Sequence, residues 1–69
     1  MKREWLIAYR KAKNLSQEEV ADAINVSAST YSSYEVGART PKPNVSKKLA
    51  KIFGFKWTKF YEENSNVEE

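Results

Sequence analysis

Cysteine is absent from the 69 residues, so neither a disulfide framework nor a thiolate metal site can form, which suits a reducing cytoplasm. Histidine is absent too, and with it the commonest general base and metal ligand. No apolar run approaches the ~20 residues that span a bilayer, so neither a membrane segment nor a signal peptide is read. Glycine and proline occur only twice each while hydrophobic residues make up 41%, a balance that favours a folded helical domain over a disordered chain. At 69 residues the expectation is one small domain whose core is only marginally stabilising. That length leaves no room within it for a separate sensory or catalytic domain.

Acid is missing from one long stretch. Residues 36–61 contain Arg39, Lys42, Lys47, Lys48, Lys51, Lys56 and Lys59 and no Asp or Glu, and Glu62, Glu63, Glu68 and Glu69 follow. Residues 62–69 are read as an acidic, disordered tail, and residues 1–61 as the domain. Outside the tail, 12 basic residues face 5 acidic ones, so a net +7 sits on the domain. A basic body with an acidic end suits a polyanionic partner, although an ordinary lysine-rich surface would look the same.

What is present is organised around Leu15 to Gly37. Ser16 is a good helix N-cap, and Glu19 three residues on completes a capping box. Val20, Ala21 and Ile24 recur on one helical face. Asn25 tolerates a left-handed backbone, and Ser27 can cap a second helix. That helix carries Tyr31 and Tyr34 on one side and Ala28, Ser29, Ser32 and Ser33 on the other, and Gly37 ends it. Two short helices joined by a tight turn form the helix-turn-helix layout, whose second helix enters the DNA major groove.

The stretch resembles the lambda-repressor-like (Xre-type) helix-turn-helix family. The matching residues are Leu15-Ser16-Gln17, Val20-Ala21, Ile24, Val26, Tyr34-Glu35 and Gly37, with Arg10 upstream and Pro41 downstream, and the resemblance runs from Leu6 to Tyr61. The family usually has glycine where this chain has Asn25, and often where it has Asn14; both asparagines tolerate positive φ. The resemblance implies an all-α fold, a compact bundle of about five short helices. It also implies an ion pair between Arg10 and Glu35. An unpaired Glu35 near DNA would repel it, which argues the same way. By family position, Ala28, Ser29 and Ser33 read base edges, and helical spacing adds Ser32 to their face. Gln17, at the start of its helix, would meet the sugar-phosphate backbone, where free N–H groups and the helix dipole favour a phosphate. Ser27, Arg39, Thr40 and Lys42 join it as backbone contacts, three of them on the loop set by Pro41 and Pro43.

The reading face lacks the Gln, Asn and Arg side chains that make bidentate base contacts. Serine discriminates weakly and alanine offers only apolar contact. Specificity is therefore expected to lean on DNA shape, deformability and bridging water. Around this unit, Lys2 to Lys13 reads as a first helix and Val45, Leu49, Ala50 and Phe53 as the inner stripe of a fourth, begun by Asn44 as cap or by Pro43 in its first turn. Lys56 to Tyr61 reads as a last helix. Family members commonly dimerise through this region, so Trp57, Phe60 and Tyr61 are either interface residues or lids on the core.

The function implied is a sequence-specific DNA-binding repressor. It would act in the cytoplasm as a homodimer on a pseudo-palindromic operator in double-stranded DNA, with no cofactor, metal or small-molecule ligand. The alternative is a protein-interaction module such as the antitoxin of a toxin–antitoxin pair. An enzyme is not expected: the serine cluster has neither a histidine base nor a strained glycine-rich elbow beside it.

Overall fold

The computed structural model describes residues 2–62, which fold as an all-α bundle. Its elements are α1 (Glu4–Ala12), α2 (Gln17–Ala23), α3 (Ala28–Val36) and α4 (Pro43–Phe53), followed by a single helical turn, α5, at residues 59–62. Residues 63–69 of the expected acidic tail lie outside the described residues. Glu62, placed at its start, closes α5, where its carboxylate accepts from Thr58 Oγ1 at 2.8 Å.

Local chemistry accounts for most boundaries. Ser16 Oγ accepts from the Glu19 N–H at 3.0 Å and Glu19 Oε1 accepts from the Ser16 N–H at 2.8 Å, a reciprocal box that starts α2. Ser27 Oγ accepts from the Thr30 N–H at 3.1 Å and starts α3. Asn14 and Asn25 hold φ of 57° and 61°, the left-handed corners on either side of α2. Gly37 and Gly54 end α3 and α4 at φ 84°. Lys42 precedes α4 and Pro43 is its first residue, so proline rather than Asn44 makes the start; a first-turn position needs no N–H donor.

Two ends differ from expectation. α1 begins at Glu4, because Arg3 leaves the helical path at φ −89°, ψ 80° and donates its backbone N–H to Glu35 O at 2.7 Å. The last helix is one turn, because residues 57 and 58 form a hydrogen-bonded turn, with the Lys59 N–H on Lys56 O at 2.9 Å, rather than part of it.

The inward faces join as one core of Leu6, Val20, Ala21, Ile24, Tyr31, Tyr34, Leu49, Phe53 and Phe60. α3 is the element that both α1 and α2 pack against. An aromatic box closes the opposite end. The Trp5 ring meets Phe55 and Phe60 edge-on at centroid distances of 5.2 and 5.1 Å, and Phe53 stacks on Phe55 at 6.2 Å. This box fastens α1 to the segment after α4.

Candidate nucleic-acid interface

The two faces of α3 have opposite chemistry. Tyr31, Tyr34 and Glu35 point inward and are buried. Ser29 is exposed, and Ala28, Ser32 and Ser33 are half-buried, so the four expected reading positions share the outward side. Their hydroxyls are partly engaged already. Ser33 Oγ donates to Ser29 O at 3.0 Å, one turn back, which leaves its oxygen as an acceptor. Ser27 Oγ, besides capping α3, lies 2.9 Å from Thr30 Oγ1 and 3.3 Å from Ser29 Oγ. The outward face thus carries small side chains, with the Ser33 hydroxyl bound to its own helix.

Beneath the helix pair lies an ion pair that carries no outward charge. Arg10 Nε donates to Glu35 Oε2 at 2.6 Å, with side-chain exposures of 14% and 2%. Arg10 Nη1 also donates to Leu15 O at 2.9 Å, tying α1 to the turn before α2. Gln17 Nε2 donates to Glu35 Oε1 at 2.8 Å, so this glutamine is held by the carboxylate rather than free in solvent. One of its amide hydrogens and its carbonyl oxygen lie beyond that bond. Burial pushes the Glu35 carboxyl up, but the hydrogen bonds from Arg10 and Gln17 and the Arg10 charge outweigh it, and the group titrates below its ordinary 4.5. Burial first, and then the same carboxylate, raise the Tyr31 hydroxyl far above its ordinary 10.0. That hydroxyl is buried beside the pair with no partner in good hydrogen-bond geometry.

Sign of charge sets the face apart. From residue 23 to 61 the sole acid is Glu35, and it is buried and paired. Arg39, Thr40 and Lys42 are exposed on the loop between α3 and α4. Pro41, between them, is fully buried, and its carbonyl accepts from Tyr61 Oη at 2.8 Å and from Ser46 Oγ at 3.4 Å. The loop thus turns its polar side chains out from a fixed floor. No group of three His, Cys, Asp or Glu that could hold a metal occurs among the described residues.

The C-terminal aromatics divide between the two readings, and Phe60 takes the core one. Phe60 is 1% exposed and belongs to the core, so it cannot present itself to a partner. Tyr61 is half-buried and spends its hydroxyl on Pro41. Trp57 is half-buried, with Lys47 Nζ 4.8 Å from its ring centroid, so Lys47 is more than a solvated charge. Among the large hydrophobic residues described, Val36 is the exposed one, at 46%. Sequence reasoning also missed Arg3, whose side chain is buried under the α3–α4 loop. Its partners stand 31 to 37 positions away, and nothing local announces them.

These features have relatives. A helix-turn-helix family model matches residues 6–60. The chain is 42% identical over 66 residues to an uncharacterized HTH-type transcriptional regulator, YqaF, of Bacillus subtilis, covering 96% of this chain and 87% of that one. It is 47% identical over 45 residues to the cryptic phage CTXphi transcriptional repressor RstR of Vibrio cholerae, covering 65% of this chain and 40% of that protein. No solved structure matches significantly. With its acid-free outer helix face, its buried ion pair and a match over most of its length, the chain belongs to the lambda-repressor-like (Xre-type) helix-turn-helix family of DNA-binding transcriptional regulators.

Proposed function

We propose that this protein is a transcriptional repressor that lays α3 in the major groove of an operator and acts as a homodimer on two pseudo-palindromic half-sites. The observation that carries the reading is the outward face of α3, which has small side chains and no acid and is flanked by the exposed Arg39, Thr40 and Lys42. Ala28, Ser29, Ser32 and Ser33 face base edges, while Gln17, Ser27, Arg39, Thr40 and Lys42 set the register on phosphates. Half-sites would lie about one helical turn, roughly 34 Å, apart. Repression follows from occupying a promoter, and the likeness to a phage transcriptional repressor supports that sense of regulation. Such a protein works in the cytoplasm, and no helix among the described residues is long and apolar enough to cross a membrane.

Groove-facing serines that already bond their own helix favour readout by shape and bridging water over direct hydrogen bonding. The test is unbiased selection of DNA sites, followed by binding measurements at two salt concentrations. Enrichment of a two-fold symmetric site, bound with an affinity that falls steeply with salt, is the expected result. Failure to enrich any site would remove the reading. A base scan of the selected site then separates the modes of readout. Costs well above ~1–3 kcal/mol at the contacted positions, with none at the centre, would refute readout by shape.

A further inference from the structure

Among the described residues Arg3 is the one basic residue that is buried, at 6% exposure. It reaches α3 and the following loop together. Its backbone N–H donates to Glu35 O at 2.7 Å, and its Nη1 donates to Tyr34 O at 2.5 Å and to Arg39 O at 2.8 Å. Nη2 donates to Thr40 Oγ1 at 2.9 Å, and the guanidinium carbon sits 5.2 Å from the centroid of the Phe60 ring. The last carbonyls of a helix have no partner within it. Two of those of α3 are therefore satisfied by a residue from the other end of the chain.

We infer that Arg3 is the positioning residue of the DNA-binding surface, fixing the 38–42 loop against the end of α3 so that phosphate contacts and groove contacts share one register. The inference rests on the DNA-binding reading above. A planar fork with five donors can hold two carbonyls and a hydroxyl at once; an ammonium on a flexible stem cannot hold the same three in one plane. The bond to Thr40 has a chemical consequence. Thr40 Oγ1 accepts from Arg3, so its own hydrogen is directed elsewhere, and the side chain is exposed. A phosphate oxygen only accepts, so Arg3 leaves Thr40 in the donating orientation that a DNA backbone needs. Holding Arg39 O sets the direction from which the neighbouring Arg39 side chain leaves. Arg3 itself is too buried to touch a phosphate.

The test uses the full chain as wild type, Arg3→Lys, Arg39→Ala and the double variant. Binding to a selected duplex is read by fluorescence anisotropy across a salt series, with thermal unfolding followed in parallel. Arg3→Lys should weaken binding about tenfold, the size of one lost charge-assisted contact. It should also reduce the slope of log affinity against log salt by about one phosphate's worth, ~0.9. Arg39→Ala should cost about tenfold in the wild type and less than about twofold beside Arg3→Lys, because the two act as a unit. An unchanged slope, with Arg39→Ala equally costly in both backgrounds, would overturn the inference and leave Arg3 a stabiliser only. Wild type that binds no duplex would sink the DNA reading and this one with it. If Arg3→Lys does not fold, hydrogen exchange of the wild-type guanidinium groups decides. Exchange at Arg3 slowed about tenfold or more relative to the exposed Arg39 supports a loop held by Arg3, and equal rates overturn it.

Discussion

Glu35 is the residue on which most of the polar interior converges. Arg10, Gln17 and Arg3 all reach it, two through the carboxylate and one through the backbone carbonyl. Removing a single partner from a buried pair strands the other, so Glu35→Ala should cost roughly 3–5 kcal/mol in denaturant unfolding. The carboxyl titrates below its ordinary 4.5, so its contribution is fully present above that value and is lost as pH falls through the lowered one. Stability measured from pH 6 down to 2 should fall within that window, and Glu35→Gln should flatten this part of the curve. Ser33 makes the contrasting case. Its hydroxyl already donates to Ser29 O, so Ser33→Ala should change operator affinity by less than about tenfold. Larger loss in an anisotropy titration would mean that the hydroxyl turns to a base in the complex.

The elements were legible wherever one residue decides a boundary. Ser16 with Glu19, Ser27 and Gly37 each act within a turn of the chain, and the helices start and stop beside them, as α4 stops at Gly54. Gly54 isolates the backbone term, because a Cβ added there would meet nothing within 4 Å. Gly54→Ala should therefore cost about 1 kcal/mol or slightly more, from the left-handed φ alone, as read by a small drop in Tm. The first and last helices are shorter than their spacing suggests. Arg3 is taken out of α1 by bonds to α3, a tertiary cause that leaves no trace in local propensity, whereas a local turn at Trp57–Thr58, closed by the Lys59 N–H on Lys56 O at 2.9 Å, delays the start of α5.

At the scale of the whole molecule, the aromatic box closes the bundle. Trp5 of α1 meets Phe55 and Phe60, and Lys59 Nζ lies 5.1 Å from the Trp5 ring centroid, so the acid-free stretch supplies both basic charge and core. Phe60, read from spacing as interface or core, is core because α1 needs a partner and the short last turn supplies it. Phe60→Ala should remove about 3–5 kcal/mol and loosen Arg3, whose guanidinium lies against that ring. Equilibrium unfolding measures the first effect, and a faster-exchanging 38–42 loop the second.

The sequence alone determined the helix pair, its caps and turns, the inward tyrosines and the absence of acid on the outer face, because each depends on neighbours three or four residues apart. The tertiary structure alone decided where Arg3, Pro41, Phe60 and Tyr61 go. Each of them acts on residues far along the chain, and burial and hydrogen-bond geometry at that range exist only once the bundle has closed.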